Sequence, residues 1–286
     1  MSGDIDEATA TGEVAEIFAE VRQLWGVPYV SAIHRFMAAQ PSLLEWSWAA
    51  VAPAFHNGVA QKAADQCAEG LDLSSIDPIP SEVLAAWDMS EADRKAVLDI
   101  CASFIRVSPI NMMFAGLTAT LLTEPSVPTK TTIEPVDLPA SLPPLPEMAD
   151  LTGLPSGQND ALHLFASDMV RKPFVPGLYR MLAHWPNLMM HLAVVLPPRL
   201  ADDRSVAAYD ELRARIDAAV PGVRATLPPE PRYPPRPIDE AGQHFLEIIK
   251  TYRKTSPEMV VASSIIQAAI IGARNWTITH SDRNPT

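Results

Sequence analysis

The chain has 286 residues, 48% of them hydrophobic, and a formal net charge of -12 at neutral pH. That is enough apolar material for one large core or two smaller ones, and the negative field disfavours nucleic acid and anionic membrane surfaces as partners. Only Cys67 and Cys101 are present, with no CxxC and no Cys/His cluster; this argues against a disulfide framework, a structural zinc or a dithiol redox site and fits two reduced core cysteines in a cytoplasmic protein.

The opening MSGDIDEATATGE is acidic and lacks the apolar stretch of a secretory signal, which again points to the cytoplasm. The first helix is predicted over EVAEIFAEVRQLW, where Val14, Ile17, Phe18, Val21, Leu24 and Trp25 share one stripe. A second begins at Ser90: its hydroxyl can cap the first turn, Asp93 sits three residues on, and Val97, Ile100, Cys101, Phe104 and Ile105 form the buried face. Residues 124–158 are rich in proline and read as an extended connection. Asp168 is placed on a helix upstream of KPFVPGLYRMLAHWPNL. A second Pro-rich stretch, Leu227–Glu240, precedes a helix whose stripe is Phe245, Leu246, Ile248, Ile249 and Tyr252. The apolar run Met259–Ala273 is broken by Ser263, Ser264 and Gln267 and is too short to span a bilayer. No sustained period-2 alternation and no Asn-Gly or Asp-Gly hairpin signal appears, so the expectation is all-α.

The chain also reads as written twice. Shifted by 145 residues, Pro28 falls on Pro173, Tyr29 on Phe174, Arg35 on Arg180, Pro41 on Pro186 and Leu43 on Leu188. A second block repeats with Ser108-Pro109 on Ser256-Pro257. The order of blocks is kept, which chance similarity explains poorly. The expected architecture is an internally duplicated helical repeat forming a pseudo-dimer with a pocket between its halves. The first repeat covers 1–123, the linker 124–158 and the second repeat 159–286.

These motifs, PYV…R…A..P.LL in one half and PFV…YR.LA.WP in the other, resemble the group I 2-haloacid dehalogenases, which act on D and L substrates and differ from the Rossmann-like dehalogenases. The resemblance implies a small 2-halocarboxylic acid as substrate, no metal and no organic cofactor. It also implies an aspartate that deprotonates a water, which attacks the halogen-bearing carbon directly without a covalent ester. An asparagine orients that water. The aspartate position falls on Leu178, or on Gly177 one residue earlier, and neither can be a base. The asparagine position falls on Ser108, at the start of a helix beginning SPINMMFAGL, with Asn111 one turn further on.

The other candidates each carry a structural alternative. Asp168 is the nearest upstream acid to the missing base, or an exposed partner of Arg171 or Lys172. His34 can activate water as a neutral imidazole, or bond a backbone carbonyl in a partly buried setting. Glu45, among Leu44, Trp46 and Trp48, either has a raised pKa or faces solvent. Arg35 and Arg180 can clamp a substrate carboxylate in two-pronged fashion, or tie each helix to its neighbour. Trp25, Tyr29, Phe174 and Tyr179 can line a pocket or fill the core; Met112, Met113, Met189 and Met190 read as core filler. Asn111 itself can be a helix-end residue satisfying backbone groups. Two functional classes follow: a dehalogenase-like hydrolase, or a catalytically silent member that binds a small ligand or serves as an interaction scaffold. A hydrolase or lyase with an unrelated substrate is a third reading, and a homodimer is open.

Overall fold

The computed structural model describes residues 3–124, 136–169, 172–228, 236–237, 240–273 and 277–279. Among them are twelve α-helices: α1 (Gly12–Trp25), α2 (Ala32–Ala38), α3 (Leu43–His56), α4 (Val59–Ala68), α5 (Ser81–Ala86), α6 (Glu91–Thr123), α7 (Ser156–His163), α8 (Gly177–Leu182), α9 (Pro186–Val195), α10 (Pro197–Leu200), α11 (Asp203–Arg224) and α12 (Glu240–Ile271). The fold is all-α. The one described sheet is a clip of two three-residue antiparallel strands, β1 (Ser167–Met169) and β2 (Lys172–Phe174).

Asp168 lies in this clip and not on a helix: it pairs with Pro173, while Ser167 pairs with Phe174. Pro173 lacks an amide donor and favours an extended residue before it, which suits the clip better than a helix.

The chain forms two compact units, each drawn from both sides of the predicted linker. One comprises Met1–Ala68, Pro109–Leu142 and Arg213–Lys254; the other comprises Glu69–Ser108, Pro143–Leu212 and Thr255–Thr286. In the first, α1 buries Ile17, Phe18, Val21, Leu24 and Trp25, five of the six residues of the predicted stripe, and leaves Val14 half-buried. It stops at Gly26, whose φ of 61° is left-handed, as suits a residue with no Cβ. Gln61 of α4 donates to the carbonyls of Leu24 and Phe55, tying the ends of α1 and α3 together. In the second unit, Ser90 and Asp93 cap α6 reciprocally. The Asp93 amide donates to Ser90 Oγ at 3.1 Å, and the Ser90 amide donates to Asp93 Oδ2 at 2.9 Å.

Helix α6 does not begin at Ser108. It runs unbroken through Pro109, as α12 runs through Pro257, although each proline removes one internal hydrogen bond. Burial of the surrounding apolar face supports α6 through the break: Val107, Ile110, Met112 and Met113 are buried. Helix α6 is also long and apolar enough to cross a membrane, yet its apolar window is wholly buried. Cys67 and Cys101 are free and buried, and burial pushes both thiols up from their ordinary range.

Of the predicted linker, 125–135 lies outside the described residues. Residues 136–150 have neither helix nor strand but are pinned by backbone bonds, the amide of Val136 to Asn57 and that of Leu142 to Gly26 in the first unit. Val136 sits against Gly58, which has φ of 75°; a Cβ there would lie 2.5 Å from the Val136 carbonyl oxygen. A Gly58→Ala variant is therefore expected to lose about 2 kcal/mol, from left-handed strain and displacement of the 136 segment, measured as a lower denaturation midpoint.

Candidate functional site

Two polar clusters lie inside the apolar packing, one in each unit. In the first, α6 carries Asn111 near its middle, and α1 ends at Trp25. The indole Nε1–H of Trp25 donates to Asn111 Oδ1 at 2.8 Å, and Asn111 Nδ2 donates to Ser31 Oγ at 2.7 Å. An indole only donates, so it fixes which end of the amide faces which way. Asn111 is buried at mid-helix and bonds two side chains, so the predicted helix-end role is not the one it takes. One amide N–H and one lone pair of Asn111 remain. Ser108 is buried on the same helix.

Around this pair lies an aromatic cluster. Trp25 stacks on Phe55 with centroids 4.5 Å apart and meets Trp48 at 5.7 Å. His34, on α2, presents its ring to the edge of Trp25 at 5.5 Å and lies 4.6 Å from Phe114. It is fully buried, and neither ring nitrogen has a hydrogen-bond partner among the described residues. The expected bond to a backbone carbonyl is thus not made. Burial lowers its pKa to about 3, so the ring is neutral at physiological pH but a weak proton acceptor.

The second cluster is built by α8, α11 and α12. Tyr179 is wholly buried and stacks on Phe165 at 4.1 Å with 16° between planes. Its hydroxyl donates to Glu258 Oε1 at 3.4 Å. Burial raises the Tyr179 hydroxyl well above its ordinary pKa, reinforced by Glu258 and Tyr209, so it stays a donor. Burial also raises Glu258 above the usual carboxylate range, partly offset by the Tyr179 hydrogen bond. Among the described residues with a shifted carboxyl, Asp72, Asp93, Asp150 and Asp202 are held low, and Glu258 alone is held high.

The remaining candidates take structural positions. The Arg35 guanidinium pairs with Asp4 at 3.2 Å. Arg180 gives Nε and one terminal nitrogen to the Ala149 carbonyl at 3.0 and 2.9 Å. Each ties its helix to a neighbouring segment. Tyr29 is buried, its hydroxyl pushed well above the ordinary range by burial and then by Tyr252 and Glu7. Phe174 is half-buried on β2. Glu45 is half-buried on α3, and its Oε2 has no partner among the described residues. The side chain of Asp168 lies outside the described residues. Met112, Met113 and Met189 are core, whereas Met190 is exposed. A cavity of about 510 Å³, lined by Ile79, Val83, His191 and Val195 among others, holds none of the predicted residues.

The backbone is similar to three solved structures: a D-2-haloacid dehalogenase mutant in complex with D-2-CPA, a D-2-haloacid dehalogenase mutant, and a D-2-haloacid dehalogenase in complex with L-LA. For each the TM-score is 0.74 at 16% identity, over 93% of this chain and 95% of that chain. The chain has a haloacid dehalogenase-like fold. No family model matches it, and no curated protein matches its sequence.

On this haloacid dehalogenase-like fold, the position where the resemblance implies an aspartate carries Leu178, which is fully buried on α8. Gly177 before it has little room to spare: a Cβ there would lie 2.9 Å from Met148 Cε and 3.4 Å from Phe104 Cζ. Sequence reasoning passed over Glu258. Its signal is faint, a lone acid at the head of the apolar run that follows Ser256-Pro257.

Two measurements check this geometry. An Asn111→Leu variant strands the Trp25 indole N–H and the Ser31 hydroxyl, so stability is expected to fall by about 2–4 kcal/mol in a denaturant titration. His34 stays unprotonated in the fold until about pH 3, whereas in the unfolded chain it protonates near pH 6.5. Its contribution is complete above the higher value and is lost as pH falls toward the lower. Between about pH 6.5 and 5, the wild type is expected to lose up to ~1.4 kcal/mol per pH unit relative to His34→Phe. At pH 7 that variant is expected to be as stable as the wild type or more so, because the ring nitrogens stand unbonded.

Proposed function

We propose that the chain is a haloacid dehalogenase-like hydrolase acting on a small 2-halocarboxylic acid by direct attack of water. The oxygen of water bonds to C2, the C2–halogen bond breaks, and the halide leaves with the bonding pair. The proton released by water passes to a carboxylate, giving a 2-hydroxy acid and halide. Substitution leaves the oxidation level of carbon unchanged, so the step balances without a redox partner.

The observation that carries this reading is Asn111. The resemblance implies an asparagine that orients water, and the amide on α6 is buried, fixed in orientation by Trp25 and Ser31, and left with one N–H and one lone pair. A water held by such a group is aligned before reaction, which lowers the entropy cost of attack. The fold likeness supports the same reading. The duplicated origin of the chain and its cytoplasmic location belong to this proposal.

Leu178 favours a second reading, in which the chain binds a small ligand without hydrolysis. A fully buried leucine stands where the resemblance implies the base.

Halide release from D- and L-2-chloropropionate by the purified chain separates the two. The hydrolase reading expects halide and 2-hydroxypropionate in equal amounts, with kcat reduced by on the order of 100-fold in Asn111→Ala. Absence of release from 2-chloro and 2-bromo acids by folded protein would falsify it. Release by Leu178→Asp alone would show a site that has lost its base.

A further inference from the structure

The cavity of about 510 Å³ lies wholly within the second unit and outside both polar clusters. Its volume is in the range that takes a small organic molecule. One wall is Ile76 and Ile79, with Pro78 and Pro80 beside them, and Val83 of α5. The prolines have no amide to offer, and the Ile79 amide already donates to the Ala269 carbonyl. From Pro78 to Pro80 this wall therefore presents no free backbone donor; its one charged side chain is the exposed Asp77.

The other wall is a stripe of α9 and α10, in which His191, Val195 and Arg199 follow at four-residue spacing. The backbone between the two helices stays helical at Leu196, with φ of -82° and ψ of -43°, so the three share one face. Neither polar group on that face is spent inside the protein. The Arg199 guanidinium makes no hydrogen bond or ion pair among the described residues, and the His191 ring, 5.3 Å from Trp87, makes no hydrogen bond among them. Burial lowers the His191 pKa, so near neutral pH the ring is uncharged and supplies one N–H donor. The neighbouring stripe of α9 leaves Met190 and Val194 exposed at the same spacing and runs on to Pro198 of the cavity. An apolar wall, an apolar border and an unpaired cation thus meet at one place on a chain whose net charge is -12.

We propose that this cavity is a binding site for a carboxylate with an apolar body, independent of the hydrolase reading. The body lies against Ile76, Ile79, Val83 and Val195, and the carboxylate takes hydrogen bonds from Arg199 and His191. A guanidinium offers a carboxylate two parallel N–H donors, and an apolar body shields the pair from water, which strengthens it. Asp77 repels an anion, so the charged end of the ligand seats on the helical wall.

The test is binding of hexanoate to the full chain near neutral pH, followed by ligand-observed NMR, with acetate and hexanamide as comparisons. Hexanoate is expected to bind on the order of 100-fold more tightly than acetate, which lacks about four buried methylenes. It is expected to bind about 10-fold more tightly than hexanamide, which carries no charge for the guanidinium. Arg199→Gln, at an exposed position, is expected to weaken hexanoate by about 10-fold and to leave hexanamide within about twofold. Val83→Trp fills the cavity and is expected to abolish binding of both, with folding followed by circular dichroism. Hexanoate binding undiminished in Arg199→Gln overturns the site. So does hexanamide binding as tightly as hexanoate, hexanoate binding kept by a folded Val83→Trp, or no binding of millimolar hexanoate by the wild type. Halide release from 2-chloropropionate is expected to be the same in Arg199→Gln as in the wild type, so failure of this proposal and failure of the hydrolase reading are read separately.

Discussion

An indole N–H can point at an acceptor and do nothing else, and much of the first cluster follows from that. Trp25 is placed by the end of α1, where Gly26 turns the chain and Gln61 bonds the Leu24 carbonyl. Its N–H then dictates the orientation of the Asn111 amide, which in turn spends one donor on Ser31 at the start of α2. Helix α2 carries His34 back against the Trp25 ring. A loop, two helices and a mid-helix amide are thereby referred to one bond between residues 86 apart in sequence. Removing it leaves two buried polar groups unpaired in apolar surroundings, where the cost is greatest.

The fully buried His34 and the half-buried Glu258 are driven in opposite directions by the same cause. Desolvation disfavours charge, so it lowers the basicity of the imidazole of His34 and raises that of the carboxylate of Glu258. A base works best with a pKa near the operating pH. By that criterion burial disfavours His34 as a base.

Helices α1 and α6 were legible in the sequence because a helical stripe is a local pattern: the residues predicted to be buried from Val97 to Ile105 are buried. The Ser90–Asp93 cap was legible for the same reason. The placement of Asp168 was not, because three residues of strand pairing leave no clear periodic trace and Pro173 outweighs the helical setting around it. The continuation of α6 beyond Ile105 was not legible, because Ser108-Pro109 reads as a helix start; a proline inside a helix is tolerated when burial on either side compensates. Asn111 was visible as a candidate, but its partners lie in distant segments. Glu258 left only a faint trace, since nothing local distinguishes a half-buried acid from an exposed one and its hydrogen-bond partner Tyr179 lies 79 residues away.

The central claim is that water, and not a protein carboxylate, attacks the halogen-bearing carbon. It is tested most directly by a single turnover of 2-chloropropionate with enzyme in excess in oxygen-18 water, with product and protein both weighed by mass spectrometry. Direct attack by water is expected to place solvent oxygen-18 in the first-turnover 2-hydroxypropionate and none in the protein. First-turnover product carrying oxygen-16, with the label gained by a side-chain carboxylate, would contradict it.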